Sequence, residues 1–372
     1  MANEDKATRY HRLRRRASLL GTSLGAVLLF LLLVTGGSAA LRDWAVATGG
    51  GSFLLSTALY VLAVALLSEL IQLPLALYQG VILERRYGLS TQTTARWWMD
   101  HGKATGIGVL CALIAALIVV GLLRVAPERW WLVAAAVFTG ILVALAQLAP
   151  VVLLPLFYEF KPLQREELVR RLIALADKAG ARVMGVFEWR MSDRTRKANA
   201  ALAGLGRTRR ILVSDTLLAD HSDEEIEVIL AHELAHHVHY DIWTGIAVET
   251  ALIFGGFYAA DAALTRFGSW FGLAGKSDLA ALPLLVLAIG AVSMVLMPLF
   301  NGLSRLHERR ADRYALEMTR NVPAFVSAMK RLGAQNLAEE RPSRLVELLF
   351  HSHPPISARI AAAQAWASRR RA

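Results

Sequence analysis

The sequence predicts an α-helical membrane protein of about six spans joined to a smaller α/β part with a small sheet. Three observations support this fold class. Apolar residues make up 55% of the chain, charged residues only 19%, and the mean hydropathy is +0.42, whereas soluble domains carry about 25% charged residues. Six apolar stretches are each long enough to cross a bilayer. A polar segment between the fourth and fifth stretch alternates between helical and strand-like patterns.

The six apolar stretches set the topology of the chain. RLRRR precedes the first of them, but no cleavage site follows and more spans come after, so we interpret it as a retained anchor and not a signal peptide. The predicted spans are Ser18–Val34, Phe53–Tyr78, Thr105–Leu123, Trp130–Leu156, Ile242–Leu264 and Leu279–Leu299.

The positive charges predict the orientation of these spans. An even number of spans puts both termini on one side, and that side holds 36 of the 41 Lys and Arg residues. The short N-terminal tail and the 80–104 loop carry the inference, because the rule weakens for long segments. Both termini and the polar parts are therefore expected in the cytoplasm, with a plasma or inner membrane favoured. Since the net charge of +11 follows topology, we expect no nucleic-acid partner.

The pattern of the polar segment, residues 159–241, predicts an α/β unit. Arg165–Ala179 is amphipathic, Arg182–Trp189 and Arg209–Ser214 alternate as strands do, and Ser222 with Glu225 forms a capping box that opens a further helix. The predicted organisation has four parts: a membrane part over 1–158, the polar α/β part over 159–241, two more spans over 242–302 and a helical C-terminal part over 303–372.

The helix opened by Ser222 carries the chemistry. It contains HELAH at His232–His236, and residues four apart share one helical face, so both imidazoles can meet one ion. Zinc suits imidazole and carboxylate ligands, and one ion per chain is expected. Glu233 is angled off that face, where it can take the proton of the attacking water. A surface helix with two histidines is the alternative interpretation of so short a motif.

A third ligand must come from elsewhere in the chain, because a catalytic zinc takes three protein ligands. The best candidate segment is Ser304–Asp312, in which Glu308 and Asp312 lie four apart on one helical face. Glu308 can complete a His-His-Glu site, and Asp312 can accept the other ring N–H of a ligating histidine. In isolation the same pair also fits a solvated charged face.

Five further histidines compete for a role. His237 and His239 lie close to the motif at different helical angles, and His307 precedes Glu308 and points elsewhere. His351 and His353 occur in HSHPP, where a prolyl turn can hold His353 over the site as a donor to an oxyanion. A turn with two exposed histidines is the competing interpretation.

Taken together, HELAH, SRLHERRAD and HSHPPISARI resemble the gluzincin metalloproteases of the type I CAAX prenyl endopeptidase family. Three further blocks are similar to that family: ERRYGLSTQT at Glu84–Thr93, PLFYEFKPL at Pro155–Leu163, and Asn199–Leu218, which resembles its substrate-edge strand. The resemblance covers residues from about 60 to 362. The eukaryotic members are usually described with seven spans, and the span missing here would fall between the first two segments.

The resemblance implies a zincin-like catalytic domain below an intramembrane chamber, and roles for single residues. Its metal ligands would be His232, His236 and Glu308, its general base Glu233, and its outer support Asp312. His353 would contact the substrate or the oxyanion. Substrate binding would fall to Asn199, Ala200, Ala201 and Arg359, the last also helping to hold the site. Glu69, Gln72, Glu249 and Asp261 could line the chamber, or could form helix–helix hydrogen bonds.

The implied activity is hydrolysis of the prenylated C-terminal tail of CaaX-type proteins presented at the membrane, with peptide substrate and membrane lipid as partners. The competing hypothesis is an HtpX-type quality-control protease that cuts misfolded membrane proteins with the same chemistry. A hypothesis of a different class is a non-enzymatic membrane scaffold with a vestigial site. The intact HELAH and both acids of the second segment argue against it.

Overall fold

A bundle of long apolar helices forms most of the molecule. The computed structural model describes residues 5–204 and 208–371, and in this part six helices are long and apolar enough to cross a membrane, as predicted. The helices of the first membrane half are α1 (Lys6–Val34), α2 (Gly37–Thr48), α3 (Phe53–Leu77), α4 (Glu84–Arg86), α5 (Thr94–Val125), α6 (Trp130–Leu148) and α7 (Leu154–Phe157). Two π-helical stretches, Tyr78–Leu83 and Ala149–Leu153, join α3 to α4 and α6 to α7.

The short helix α2 lies where a further span was expected to be missing. Its 12 residues rise about 18 Å, well short of the roughly 30 Å hydrocarbon layer. Ser38 on α2 is buried and hydrogen-bonds to Tyr60 of α3 and to the carbonyl of Ala280. The helix therefore packs against the second span and the start of the last one.

The α/β part carries a four-stranded sheet. The strands are β1 (Phe160–Pro162), β2 (Val186–Trp189), β3 (Ala200–Ala203) and β4 (Arg210–Ser214), in the spatial order β1-β2-β4-β3. Strands β2 and β4 are parallel, and the two outer pairs are antiparallel. Residues 205–207, part of the block resembling the substrate-edge strand, lie outside the described residues, as do 1–4 of the N-terminal tail and 372.

The remaining helices surround this sheet and complete the bundle. They are α8 (Glu166–Lys178), α9 (Asp215–Asp220), α10 (Asp223–Val238), α11 (Asp241–Phe267), α12 (Leu282–Thr319), α13 (Val322–Gln335), α14 (Arg344–Phe350) and α15 (Ile356–Arg371). Between α10 and the sheet lies one apolar core, with Leu172, Ile211, Leu230 and Phe325 at its centre, all almost completely buried.

The last membrane helix continues without a break into the polar part. Helix α12 has 38 residues and is therefore about 57 Å long, nearly twice what a bilayer requires. It starts as the sixth span and ends beyond Asp312. The predicted boundary between residues 302 and 303 falls inside this helix. One continuous helix thus runs from the sixth span to the polar part.

Two of the intramembrane polar residues form contacts between helices. Glu69 accepts a hydrogen bond from His101 of α5, with 2.6 Å between Oε1 and Nε2, and Gln72 donates to the carbonyl of Gly21 on α1 at 2.8 Å. An added Cβ at Gly21 would stand only 2.9 Å from the Gln72 amide oxygen. A glycine at this position lets the two helices approach.

The other two polar residues differ from each other. Asp261 accepts hydrogen bonds from the Trp130 indole at 2.6 Å and from Lys276 at 2.8 Å. Glu249 is exposed and makes no hydrogen bond or ion pair with any residue that the structure describes. Glu69, Gln72 and Asp261 therefore have polar partners within the structure, whereas Glu249 has none among the described residues.

Truncation of Leu172 tests the apolar core. Leu172→Ala removes a side chain that is fully buried in this core, so we expect a loss of about 2–5 kcal/mol in unfolding free energy. The measurement is pulse proteolysis across a urea series in detergent micelles. Met184→Ala is the control: Met184 is 63% exposed and its truncation should cost less than about 0.5 kcal/mol. Equal losses for both variants would contradict the assigned core.

Candidate metal centre

Helix α10 presents two imidazoles from one face. The predicted capping box is present, since Ser222 accepts from the Glu225 N–H while the Glu225 carboxylate accepts from the Ser222 N–H. This fixes where the helix starts and so sets its rotation. One turn apart, the rings of His232 and His236 lie 5.1 Å from each other and are nearly perpendicular. His232 is buried and His236 is half-buried.

Glu308 of α12 faces these two rings. Its Oε2 lies 3.2 Å from Nε2 of His232, and its Oε1 lies 3.5 Å from Nε2 of His236. Within the described residues, these three side chains are the group of His, Cys, Asp and Glu whose atoms come close enough to hold one ion. The structure thus brings together the three residues that the sequence predicts as ligands.

The spacing and surroundings of these atoms fit a metal ion. Nitrogen and oxygen ligands placed tetrahedrally about 2.0–2.1 Å from zinc stand about 3.3 Å from one another, close to the distances from Glu308 to both imidazoles. The Oε2 atom of Glu308 is also buried without a hydrogen-bond partner among the described residues. A buried carboxylate oxygen without a partner is costly, and a cation at this point would satisfy it.

Each of the two candidate ligand rings has a second carboxylate beside its Nδ1 atom, whereas its Nε2 atom lies near Glu308. Nδ1 of His232 lies 3.0 Å from Asp312 Oδ1, as predicted, and Nδ1 of His236 lies 2.9 Å from Asp241 Oδ2. The sequence reasoning missed Asp241, five residues beyond His236 at the first turn of α11. An acidic residue so close to the motif is the sequence feature that could have identified Asp241. Because each Nδ1 faces a carboxylate, each ring is held with Nε2 toward the site.

Arg359 completes this outer layer. It binds both oxygens of Asp312, through Nε at 2.8 Å and Nη2 at 2.5 Å, and Nη2 also lies 3.9 Å from Glu308 Oε2. The bidentate pair fixes Asp312 and with it the His232 ring. Arg359 thus supports the ligands from behind, whereas its predicted contact with a substrate stays a prediction.

Neighbouring charges shift the pKa values of the two imidazoles. Burial alone would lower the pKa of His232, but the carboxylates of Asp312 and Glu308 raise it to about 9. Burial also opposes the charged form of His236, and Glu308 and Asp241 raise the pKa of His236 in the same way. A pKa of about 9 keeps a proton on the His232 ring at neutral pH, and this positive charge balances part of the negative charge of the buried acids.

Glu233 differs from the three candidate ligand residues because its side chain has no hydrogen-bond or ion-pair partner among the described residues. Burial raises the pKa of its carboxyl group, opposed by the charges of His232 and His236. A carboxylate with a raised pKa is a better proton acceptor than an exposed one. Its position between the two ligand histidines supports the predicted role as a base.

His353 reaches the site from the opposite direction. Its Nε2 lies 3.2 Å from Glu308 Oε1, and its Nδ1 lies 2.8 Å from the Ser352 hydroxyl. An Nε2 that faces a carboxylate carries the proton, and Nδ1 can then accept from Ser352. The ring is 61% exposed, so one face is open to a ligand. The prolyl turn therefore places His353 at the ligand group, as expected.

The strand of the predicted substrate-binding residues lies at the edge of the sheet. Ala200 and Ala201 belong to β3, which pairs with β4 on one side and with no other strand among the described residues. Asn199 precedes β3 and exchanges hydrogen bonds with Ser214, its N–H donating to the hydroxyl and its carbonyl accepting from the Ser214 N–H, both at 2.9 Å. An open strand edge can accept an extended peptide.

Asn336 is a further residue that the sequence reasoning missed. Its side-chain oxygen accepts from the N–H of Ala198 at 2.9 Å, and its amide donates to the Ala198 carbonyl at 3.1 Å. Both backbone groups just before β3 are thereby fixed. No local pattern marks this residue, because it lies 138 positions away in the sequence.

The remaining histidines lie outside the ligand group. His237 is half-buried, His239 packs edge-on against Tyr314, and His307 lies 3.8 Å from Asp241 Oδ1. His351 lies 3.4 Å from Glu339 Oε2. None of these four belongs to the candidate metal group of the described residues. For His237 and His239 this agrees with the helical angles expected from the sequence.

Comparison with known proteins finds two family models that together match almost the whole chain. Residues 162–367 match peptidase family M48. Residues 2–159 match the model described as CAAX prenyl protease N-terminal, five membrane helices. In that second range the structure has four candidate spans and the shorter helix α2.

Similar proteins occur in bacteria and eukaryotes. An uncharacterized metalloprotease, YhfN, of Bacillus subtilis is 34% identical over 95% of this chain and 84% of its own length. CAAX prenyl protease 1 of Saccharomyces cerevisiae is 27% identical over 80% of this chain and 69% of its own length. The crystal structure of S. mikatae Ste24p covers 96% of this chain and 88% of its own, with a TM-score of 0.85 at 22% identity. The fold is therefore shared.

Removal of the charge on Asp312 tests the support behind His232. Asp312→Asn keeps the size of the side chain but weakens its hold on the ring, so we expect metal affinity to fall by about 10- to 100-fold. Competition with a chromogenic chelator measures this. Glu317→Gln on the same helix is the control and should leave affinity unchanged. Equal affinity in Asp312→Asn and the wild type would contradict the assigned role.

The raised pKa of His232 predicts a pH dependence of metal binding. Because the pKa is about 9, a proton occupies the ring at neutral pH and a metal must displace it. Apparent affinity should therefore rise by roughly tenfold for each pH unit between pH 7 and 9. Chelator competition at pH 7, 8 and 9 is the measurement. An affinity that stays flat over this range would contradict protonation of the metal-free site.

Proposed function

This chain belongs to peptidase family M48 and is a multi-pass membrane metallopeptidase, and from that premise we propose that it is a zinc endopeptidase for prenylated CaaX-type tails. The observation that carries the proposal is the convergence of Glu308 on His232 and His236. This set of one carboxylate and two imidazoles suits zinc and leaves a fourth position for water or substrate.

The proposed chemical role of each side chain follows from its position in the site. Zinc, when bound, supplies Lewis acidity: it polarises a carbonyl oxygen and makes water acidic enough to ionise near neutral pH. Glu233 accepts the proton of the attacking water on its carboxylate and can pass it to the leaving amine. Nε2–H of His353 donates to the oxygen that becomes negative during attack. Asp312, Asp241 and Arg359 keep the ligand rings in place.

Strand addition is the proposed way in which a peptide binds. The open edge of β3 offers the backbone groups of Ala200, because those of Asn199 are turned toward Ser214 of β4 and the direction alternates along a strand. Asn199 and Ala198 are held in place by Ser214 and Asn336. An extended substrate tail paired along this edge would lie with its backbone ordered before cleavage.

Specificity for a lipidated tail is proposed on two grounds. Several relatives, from yeasts to plants, carry the name CAAX prenyl protease 1, and helix α12 joins a membrane span directly to the third ligand. A substrate anchored by its lipid would meet the site at the membrane surface. With 36 of 41 basic residues on one side of the predicted topology, we place that surface in the cytoplasm.

Substitution of the proposed base separates catalysis from metal binding. Glu233→Gln keeps the shape of the side chain and removes the proton acceptor, so turnover should fall by about 10²-fold or more with metal content unchanged. Elemental analysis and peptide cleavage are the two measurements. Glu227→Gln on the same helix removes only an ion pair with Arg171 and serves as the control. Unimpaired turnover in Glu233→Gln would remove this residue from the mechanism.

Substrate choice distinguishes the proposal from a quality-control protease. The purified protein in liposomes is offered a farnesylated CaaX peptide, the same peptide without lipid, and an unfolded membrane protein, each with and without a zinc chelator. We expect cleavage of the farnesylated peptide in preference to the other two, and none with the chelator. Cleavage of the unfolded protein alone would support the HtpX-type alternative.

A further inference from the structure

The cytoplasmic end of α1 contacts the segment that leads to His353. Nη1 of Arg15 lies 2.5 Å and Nη2 lies 3.4 Å from the two carboxylate oxygens of Glu339. One turn earlier, Nε2 of His11 lies 2.8 Å from the carbonyl of Leu337, a non-glycine residue held at a φ of +49°. The first membrane helix thus contacts a loop that lies more than three hundred residues away in the sequence.

Glu339 also contacts the turn that carries His353. Its Oε2 lies 3.4 Å from Nε2 of His351, two residues before His353. The backbone of His351 is held as well, since its carbonyl accepts from Arg305 of α12 at 2.6 Å. The ring and the main chain of His351 are therefore fixed by two different membrane helices, through Glu339 and through Arg305.

The burial of the Arg15–Glu339 pair shows that it is more than a surface contact. The Glu339 side chain is 3% exposed and that of Arg15 is 18% exposed. A buried carboxylate without its cation is strongly unfavourable, so loss of Arg15 would drive Glu339 to move or take up a proton. His353 itself is 61% exposed and has little packing of its own to hold it. Its position depends on how its turn is anchored.

We propose that Arg15 and Glu339 are positioning residues that hold His351, and through it His353, over the metal centre. The inference rests on the proposed role of His353. Neither residue touches the ligands: Arg15 acts through Glu339, and Glu339 acts through His351. The first membrane helix thereby takes part in catalysis without reaching the site.

A matched pair on the other side of the molecule makes the test selective. Arg42 and Asp278 also lie 2.5 Å apart, with side-chain exposures of 22% and 2%, so their loss should cost similar stability. Arg15→Ala should lower kcat by about 10- to 100-fold with KM nearly unchanged, because a small displacement of a catalytic group has such effects. Arg42→Ala should leave kcat unchanged, and Arg15→Lys should restore part of the activity. Equal kcat values in Arg15→Ala and Arg42→Ala would overturn the proposal.

A double substitution tests whether the effect passes through His353. If it does, adding Arg15→Ala to His353→Ala should change kcat no further, since coupled residues are not additive. A full additional loss would show that Arg15 acts elsewhere and would overturn the proposal. Unaltered activity in His353→Ala alone would instead contradict the role of His353 under the proposed function.

Hydrogen exchange provides a readout that needs no substrate. Arg15→Ala and Glu339→Gln should both speed amide exchange in residues 349–353, and Arg42→Ala should not. Metal content should be equal in all three variants, because the ligands are untouched. Unchanged exchange in residues 349–353 would overturn the proposal even if the enzyme proved to cleave a different class of substrate.

Discussion

The carboxylate of Glu308 is the group on which the rest of the site depends. It lies buried between two imidazoles of another helix, and one of its oxygens has no hydrogen-bond partner among the described residues. A negative charge in such a place is tolerable only if positive charge is placed beside it. A proton on the His232 ring, whose pKa is raised to about 9, provides such a charge when no metal ion is bound. A metal ion provides it better, and Asp312, Asp241 and Arg359 are arranged so that the rings can accept one.

The site combines a helix of the polar part with a helix that continues from a membrane span. Helix α10 contributes the motif, and its orientation follows from the capping box at Ser222 and from a buried apolar face against the sheet. Helix α12 contributes Glu308 and Asp312 as the extension of a membrane span. Since one helix carries both the span and these two acids, helix geometry sets how far along α12 the acids lie from the span. A flexible linker would leave that distance free.

The membrane bundle also reaches the site from the other end of the chain. Arg15 and His11 of α1 contact the 337–339 segment, and Lys197, next to the strand that we propose binds substrate, forms an ion pair with Glu84 after α3. These contacts place the catalytic part directly on the bundle. They give a physical reason why the N-terminal membrane half and the peptidase half occur together in one chain.

The sequence by itself determined the class of the protein, the six spans, the HELAH helix with its cap, and the pair Glu308 and Asp312. Each of these is a local pattern: a length of apolar residues, a spacing of four, or a cap followed by Glu three residues later. Only the tertiary structure decided what depends on contacts between distant segments. It showed that α12 is continuous from membrane to site. It also showed that Asn336 fixes the backbone before β3, and that Arg15 and Glu339 form a buried pair. Such partners are chosen by how helices pack across the whole chain, and no short stretch of sequence records that packing.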